Sequence, residues 1–465
     1  MEAFDLVVIG GGAAGEKGAV QAAYFGKKVA LVEKERVLGG AMVNTGTLPS
    51  KTLRETALAL SGLRQRGLYG VDLTLGRQAT VADFLHRLGV VIKEECARMA
   101  VNLQQHQVTC FHGTARFVDP HTISIATKDG ETLIRAEHVL IATGSAPNRP
   151  SAFEFEQERI YDSDEIVTLA EIPKSLVIVG GGVVGSEYAC LFAALGVQVT
   201  MIEAKSSLMG FLDAEILELL MTRMTSLGVG FRFMSQVASC QVSEKSVVLT
   251  LQNAEVMTAD AVLVCAGRQA CTAALNLEAA GLVAGKRGQL DVDPATFRTP
   301  VAHIAAVGDV IGFPALASTS MEQARVAVVH LFDLKYKMQI APIFPYGIYT
   351  IPEVSMAGET EATLTEKKVD YVVGTAHFAV NARGLIIGEE GLLKLLFKRD
   401  DMSLLGVHCL GEGATELIHI GLMALMTKAN ADLFIHTCFN YPTLSEAYKY
   451  AAYDALGRRA KVSLA

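Results

Sequence analysis

Two stretches of the chain share one pattern of apolar and small residues. Residues 4–10 read FDLVVIG and run into the turn GGGAAG at 10–15, whereas residues 175–179 read SLVIV and run into GGGVVG at 180–185. A short apolar run that ends at glycines and continues into small residues predicts a buried strand, a tight turn and a helix. The pattern therefore predicts the same strand–turn–helix unit twice.

Each copy continues into a second apolar strand that ends in a glutamate. Lys28–Val32 precedes Glu33, and Val197–Ile202 precedes Glu203, so the acid follows the first glycine at the same distance in both copies. Turn-rich strand segments come next, and they end at small residues: Thr143, Gly144 and Gly267. Two such units with meanders predict two doubly wound α/β domains that bind dinucleotides.

The predicted fold class is α/β, with two doubly wound dinucleotide-binding domains and a C-terminal α+β domain. We expect the first dinucleotide domain at 1–150, completed by 272–340. The second should occupy 151–271, and the last domain 341–465.

Two further regions have their own patterns. Residues 53–105 read as helical, with apolar residues such as Leu53 and Leu63 at helical spacing. In the last domain the pattern predicts strands and helices at Tyr371–Ala379, Gly391–Lys398, Leu404–Leu410, Thr415–Asn430 and Leu444–Leu456.

Composition narrows the class of protein. The chain has 465 residues, a net charge of −8 and a pI of about 5.8, so no basic surface indicates nucleic-acid binding. No apolar run reaches the ~18 residues that would span a bilayer. The first strand begins at Phe4 beside a glycine turn, which a cleaved signal peptide would destroy. We therefore expect a cytoplasmic protein with reduced thiols, and no histidine pattern predicts a metal site.

The glycine turns carry the first chemical hypothesis. Gly10, Gly12 and Gly15 in the first copy, like Gly180, Gly182 and Gly185 in the second, allow the backbone to approach a pyrophosphate at a helix N-terminus. Glu33 and Glu203 lie where an acid binds a ribose. Tight packing without a ligand is the alternative, but the repeat with its matched acids favours nucleotide binding.

A second candidate motif lies far downstream. The segment AVGDVIG at 306–312 follows the apolar strand His303–Val307 and contains Gly308 and Asp309. A helix should begin after it, at about Leu316 and Ala317. A plain turn is the alternative interpretation.

A segment near the N-terminus gives the family resemblance. Residues 39–51 read GGAMVNTGTLPSK, which resembles the flavin-adjacent signature of the pyridine nucleotide–disulfide oxidoreductases. Gly40 matches that signature, but Met42 and Thr47 stand where the family has its two redox cysteines. A thioether and a hydroxyl cannot form a disulfide, so the relay to thiol substrates is expected to be missing.

The resemblance implies FAD in the first copy and NAD(H) or NADP(H) in the second. Asp309 would then accept hydrogen bonds from the ribityl chain of FAD. The resemblance also implies that Lys51 lies beside flavin N5 and pairs with Glu187, and that Val183 covers the flavin until nicotinamide enters. The alternatives are a surface lysine, a solvated glutamate and a packing valine.

Two further positions bear on substrate choice. Glu203 should repel the 2′-phosphate of NADP(H), and only Lys205 offsets it nearby. At the far end, relatives have His-Pro-x-x-x-Glu, whereas this chain has Tyr441, Pro442 and Glu446. Tyrosine is a poor proton shuttle near neutral pH, so the base for thiol chemistry is lost together with the cysteines.

Three stretches, at 43–55, 346–361 and 439–448, look like the soluble flavin-dependent NAD(P)⁺ transhydrogenases within this family. The resemblance implies hydride exchange between nicotinamide nucleotides through the flavin, in a homodimer or larger assembly formed by 341–465. One alternative is an NADH:acceptor oxidoreductase that reduces a quinone or another small oxidant. A second is a slow flavoprotein scaffold or redox sensor.

Overall fold

The structure is a computed structural model that describes residues 1–62 and 80–463. The predicted helical region 53–105 therefore lies partly outside the described residues, and Leu63 is one of the residues outside them.

The helices and strands up to residue 150 surround the first glycine turn. They are β1 (Glu2–Ile9), α1 (Ala13–Tyr24), β2 (Val29–Glu33), α2 (Gly40–Asn44), α3 (Thr47–Ser61), α4 (Val81–Gln105), β3 (Thr109–His112), β4 (Thr114–Asp119), β5 (Thr122–Thr127), β6 (Gly130–Ile141) and β7 (Ser145–Pro147).

The next part of the chain surrounds the second glycine turn and then returns to the first sheet. Its elements are β8 (Ile160–Asp162), β9 (Ser175–Val179), α5 (Val183–Ala194), β10 (Gln198–Ile202), α6 (Ala214–Ser226), β11 (Gly230–Arg232), β12 (Val237–Val242), β13 (Val247–Leu251), β14 (Val256–Ala259), β15 (Ala261–Val264), β16 (Arg268–Ala270), β17 (Ile304–Ala306) and α7 (Ala317–Leu331).

The C-terminal part forms an antiparallel sheet covered by helices. Its elements are β18 (Tyr346–Ile348), β19 (Val354–Gly358), α8 (Glu361–Glu366), β20 (Tyr371–His377), α9 (Ala382–Ile387), β21 (Leu392–Lys398), β22 (Leu404–Leu410), α10 (Ala414–Met426), α11 (Ala431–His436) and α12 (Ala447–Ser463).

The first sheet has the strand order β3-β2-β1-β6-β5-β4, and β17 pairs with β6 in parallel. The strands β3, β2, β1 and β6 also run parallel, so their carboxyl ends share one edge. Apolar side chains fill both faces of this sheet. Burial on both faces explains why its central strands read as continuous apolar runs rather than alternating ones.

The second sheet is parallel throughout, in the order β11-β10-β9-β15-β8, and β12-β13-β14 form a separate meander. Where the chain crosses between the two sheets, β7 and β16 pair antiparallel. The third large sheet is antiparallel, in the order β18-β19-β22-β21-β20. This architecture confirms the predicted fold class, whereas the domain boundaries stay a prediction.

Several predicted bounds in the C-terminal part were wrong. The strand predicted at Tyr371–Ala379 ends at His377, and the helix predicted to reach Asn430 ends at Met426. The helix predicted from Leu444 begins at Ala447, after a 3₁₀ turn. Beyond the end of α10, the backbone N–H groups of Thr427 and Lys428 still donate to preceding carbonyls, but the helix does not continue. Apolar periodicity detects buried faces, but it does not mark where helical hydrogen bonding stops.

Candidate active site

Each glycine turn lies between a parallel strand and the N-terminus of a helix. Gly10 and Gly180 have φ angles of 105° and 111°, which side chains rarely adopt. A Cβ atom at Gly15 would overlap the carbonyl oxygen of Gly10, and one at Gly185 would overlap that of Gly180. The helices α1 and α5 can therefore start close to their strands, with free N–H groups aimed at the turn.

The two acids support the turns in the same way. One carboxylate oxygen of Glu33 accepts from the Gly11 amide at 2.7 Å, and one of Glu203 accepts from the Gly181 amide at 2.6 Å. The second oxygen of Glu203 accepts from the Lys205 amide at 2.8 Å. Each carboxylate is thus fixed at the end of its strand, with lone pairs left for a ribose hydroxyl.

The segment at 39–44 lies across the first glycine turn. The Gly39 amide donates to the carbonyl of Gly11 at 2.8 Å, and Gly39 forms an isolated bridge with Gly12. Gly40 has a φ of 52°, and a Cβ there would approach Gly12 to 3.0 Å. The positive φ and this close approach both favour glycine at position 40, where the segment lies against the first turn.

The segment 306–312, which contains Gly308 and Asp309, lies beside the first glycine turn. Gly308 follows β17, and a Cβ at Gly308 would lie within 3.6 Å of both Ser320 and Ala14. Leu316 is the N-cap of α7, and Ala317 begins that helix, as the sequence predicted. The N-termini of α1 and α7 therefore converge on one region, although they are far apart in the chain.

Asp309 is held by residues that the sequence had not indicated. One of its carboxylate oxygens accepts from the Ser145 hydroxyl at 2.6 Å. Arg268 donates to that hydroxyl at 2.7 Å and to Asp164 at 3.2 Å. Arg268 follows Gly267 at the crossing between the two sheets, so one guanidinium links Ser145 in β7 to Asp164, just after β8.

Lys51 and Glu187 form an ion pair. The Lys51 Nζ atom lies 2.6 Å from one carboxylate oxygen of Glu187 and 2.9 Å from the other. The side chain of Glu187 is 6% exposed and that of Lys51 is 25% exposed. The pair joins α3 to α5 and thereby links the two dinucleotide domains, and the lysine is the more exposed of the two.

Two residues that sequence reasoning missed hold this pair. The Tyr349 amide donates to Glu187 at 2.9 Å, and the Tyr349 ring lies 4.8 Å from the Lys51 ammonium. The Ser50 hydroxyl donates to Glu187 at 3.3 Å. Tyr349 comes from the C-terminal part of the chain, and the only sequence signal for it was its position within the stretch 346–361.

The positions that replace the cysteines lie on neighbouring helices. Met42 is partly buried on α2, and Thr47 is exposed at the start of α3. Met42 lines an open groove together with Leu48, Met321 and residues of α4. Neither side chain offers a thiol to this groove.

Residues 4–329 match the family described as pyridine nucleotide-disulphide oxidoreductase, and residues 344–452 match the dimerisation domain of that family. The chain belongs to the pyridine nucleotide-disulphide oxidoreductase family. Its C-terminal part is therefore a self-association domain.

Two curated relatives match this chain over 98% of its length. It is 45% identical to a soluble pyridine nucleotide transhydrogenase of Mycobacterium bovis over 461 residues, which are 98% of both chains. The chain is also 41% identical to a soluble pyridine nucleotide transhydrogenase of Colwellia psychrerythraea, and the match covers 98% of each chain. Among solved structures, the HOCl-induced flavoprotein disulfide reductase RclA from Escherichia coli matches with a TM-score of 0.88 at 27% identity, over 97% of this chain and 99% of that one.

The family implies a flavin and a nicotinamide nucleotide, and the residues fit both. Around the first turn, the buried hydroxyl of Thr143 has no hydrogen-bond partner in the part of the chain that the structure describes. Around the second, a Cβ at Gly182 would meet nothing within 4 Å, and Val183 is only partly buried. The first turn thus has an available polar group beside it, and the second has open backbone, where a dinucleotide would lie.

The cysteine thiols are free, and burial raises the pKa of most of them. All eight cysteines lie in described ranges and none forms a disulfide. Burial raises the pKa of Cys190 and of Cys265 to about 12, so neither is a thiolate near neutral pH. Tyr441, at the expected base position, is 74% exposed. No helix in residues 1–62 or 80–463 is both long and apolar enough to cross a membrane.

Proposed function

We propose that this protein is an FAD-dependent pyridine nucleotide transhydrogenase. The observation that carries the proposal is the 45% identity over 98% of both chains with a relative of that name. The arrangement of residues supports it, because two nucleotide turns and the Lys51–Glu187 pair are present while Met42 and Thr47 provide no disulfide.

FAD would bind at the first turn, with Gly10, Gly12 and Gly15 against its pyrophosphate and Glu33 at its ribose. Asp309 would bind the ribityl chain, since its carboxylate already accepts one hydrogen bond and has further lone pairs. When bound, FAD supplies a two-electron centre that can take a hydride from one nicotinamide and give it to another.

The protein's own residues position the nucleotide and provide a fixed charge that polarises the reacting groups. The nicotinamide nucleotide would lie on Gly180, Gly182 and Gly185, with Glu203 at its adenosine ribose. The Lys51 ammonium provides a fixed positive charge in a partly buried site, and Glu187 holds that charge in place. Reduced donor and oxidised acceptor exchange one hydride, so no net proton is consumed and no general acid is required.

A steady-state assay tests this function. The FAD-loaded protein should transfer hydride from NADPH to thio-NAD⁺, an analogue whose reduced form absorbs at a distinct wavelength. Air-free conditions remove dioxygen as a competing oxidant. Failure to reduce thio-NAD⁺, with NADPH and with NADH as donor, would exclude the transhydrogenase.

One observation favours a second candidate, an NADH:acceptor oxidoreductase. Glu203 is fixed by the amides of Gly181 and Lys205, so its negative charge stays where a 2′-phosphate would approach. Rapid turnover with NADH and a quinone, without transfer to thio-NAD⁺, would support this candidate instead.

A further inference from the structure

A buried arginine lies close to the ion pair of Lys51 and Glu187. Arg54 follows Lys51 by three residues on α3, and only 3% of it is exposed. Residues three apart on a helix are neighbours on its surface, so the two cations lie on the same side of α3. A buried charge is costly unless it is paired, so the partners of this guanidinium indicate what it stabilises.

Arg54 binds the segment that connects β18 to β19 in the C-terminal part of the chain. Its Nε atom donates to the carbonyl of Thr350 at 3.0 Å, and Thr350 is fully buried. One terminal nitrogen donates to Glu55 at 2.7 Å and lies 3.4 Å from Glu353. Glu353 also accepts from the amide and the hydroxyl of Thr415, at 3.2 and 2.8 Å. The arginine therefore fixes this segment against α3.

The same segment contacts the ion pair. The Tyr349 amide and the Lys51 ammonium both donate to the same oxygen of Glu187, each at 2.9 Å. The Tyr349 ring lies 4.8 Å from that ammonium. Since Tyr349 directly precedes Thr350, the contact between Arg54 and the Thr350 carbonyl restricts the direction of the Tyr349 amide.

The hydrogen bond from Tyr349 affects the charge of the pair. A donated amide hydrogen bond stabilises a carboxylate, so Glu187 depends less on Lys51 alone. Without that bond the carboxylate would interact more strongly with the ammonium and cancel more of its field. The two donors to Glu187 thus determine how much positive charge Lys51 presents to its surroundings.

We propose that Arg54 is a positioning residue that raises the redox potential of the flavin. By binding the Thr350 carbonyl, it keeps the Tyr349 amide on Glu187 and leaves part of the Lys51 charge available to the flavin. Reduction by two electrons and one proton gives the flavin a net negative charge, which a fixed positive charge stabilises. This inference rests on the proposed FAD beside Lys51, but not on which molecule receives the hydride.

The redox potential of the full-length, FAD-loaded protein tests the inference. Arg54→Met removes every donor of the guanidinium, so the Tyr349 amide is no longer aimed at Glu187. The equilibrium ratio of reduced to oxidised flavin should fall about tenfold, the effect expected for one hydrogen bond to a charged group. For a two-electron couple this lowers the midpoint potential by about 30 mV. Air-free equilibration with a redox dye, followed by absorbance, measures this shift without any nucleotide.

A double-mutant cycle shows whether Arg54 acts through Glu187. Glu187→Gln removes the carboxylate charge, so in that background Arg54→Met should change the ratio by less than about threefold. If Arg54 acted on the flavin through its own charge, the tenfold change would persist in both backgrounds. A change that stays equally large without the Glu187 charge would therefore overturn the inference.

Two further variants control for charge and for stability. Arg54→Lys keeps a cation at this position and carries the test if Arg54→Met does not fold. A flexible ammonium cannot reproduce the rigid fork of a guanidinium, so the potential should shift in the same direction but by less. Arg399 also donates to a backbone carbonyl of the C-terminal part, that of Tyr371 at 2.6 Å, and pairs with Asp370. Arg399→Met should lower the melting temperature without changing the potential.

The result is separate from the test of the transhydrogenase. A folded Arg54 variant with the wild-type potential would overturn the role of Arg54, even if the wild type reduces thio-NAD⁺. A wild type that does not reduce thio-NAD⁺, while Arg54→Met shifts the potential as expected, would exclude the transhydrogenase and support the role of Arg54.

Discussion

At the scale of single residues, the Lys51 ammonium is the charge on which we expect hydride transfer to depend. In Lys51→Met, NADH should reduce the flavin of the loaded protein about a hundred-fold more slowly, because a preorganised charge is lost. Glu187 would also become a nearly buried carboxylate without a cation, so the free energy of unfolding should fall by about 1–3 kcal/mol. Stopped-flow absorbance and denaturant titration measure the two effects.

A double variant separates charge from stability. Lys51→Met with Glu187→Gln replaces the pair by two neutral groups, so unfolding free energy should recover while flavin reduction stays slow. If Lys51→Met reduces its flavin at the wild-type rate, the proposed role of the lysine is wrong.

A second prediction at the scale of single residues concerns Glu203 and the choice between NADH and NADPH. We expect the wild type to use NADH about ten- to hundred-fold more efficiently than NADPH, because the fixed carboxylate repels a 2′-phosphate. Glu203→Gln removes the charge and keeps one oxygen that can accept from the Gly181 amide, so it should narrow the gap while retaining that contact, although its NH₂ group cannot accept from the Lys205 amide. The ratio of kcat/KM for the two nucleotides measures this effect. If the wild type prefers NADPH, the residues that face the 2′-phosphate lie elsewhere than Glu203.

At the scale of elements, a buried lysine joins the second dinucleotide domain to the C-terminal sheet. The Lys394 side chain on β21 is 1% exposed, and its Nζ lies 2.8 Å from Asp213 and 2.9 Å from Glu215, both at the start of α6. It also contacts Glu361, the first residue of α8. These contacts fix the start of α6 relative to β21 and α8 of the C-terminal part.

The same cluster predicts loss of stability in acid. Burial lowers the pKa of His408, whose Nε2 lies 2.8 Å from the carbonyl of Glu359. The unfolded chain takes up a proton at about pH 6.5, before the folded one does, so stability should decline as the pH falls below that value. Burial opposes ionisation of Asp213, but the hydrogen bond from Lys394 brings its pKa below the ordinary value, which adds a further loss at lower pH.

Melting temperatures between about pH 8 and about pH 5 measure this decline. His408→Gln can still donate to the Glu359 carbonyl but does not titrate, so its melting temperature should fall less over that range. An identical decline in the wild type and the variant would show that His408 is not responsible.

Local patterns predicted the elements around the nucleotide turns well, because each depends on a few neighbouring residues. Gly10 and Gly180 must adopt positive φ, and Glu33 and Glu203 must end their strands, so short motifs were sufficient. The contacts of Tyr349 and Arg268 could not be predicted in this way. They depend on how segments distant in sequence meet, and no local spacing records such a meeting.

At the scale of the whole molecule, the fold has the architecture of a disulfide reductase, but the sequence has Met42 and Thr47 where the family signature has cysteines. We expect no reduction of lipoamide or glutathione disulfide by NADH or NADPH, since Met42 and Thr47 cannot carry electrons to a disulfide. Absorbance assays of nucleotide oxidation test this. Turnover dependent on either disulfide would contradict the proposed loss of the thiol relay.

The dimerisation domain should be necessary for the site. Truncation at about Pro342 removes Tyr349 and exposes the apolar surface that β18–β22 cover, so the remaining chain should aggregate or lose flavin. Size-exclusion chromatography with flavin absorbance measures both. A soluble, flavin-replete and active monomer would show that the C-terminal part is dispensable.

The central claim is that hydride passes between two nicotinamide nucleotides through one flavin. The most direct measurement is an air-free double-mixing experiment, in which NADPH first reduces the flavin and NAD⁺ is then added. The account predicts that NAD⁺ restores the oxidised flavin spectrum at least as fast as steady-state turnover, with one NADH formed per flavin. Flavin that stays reduced with NAD⁺ and with NADP⁺, but is oxidised at once by a quinone, would contradict it.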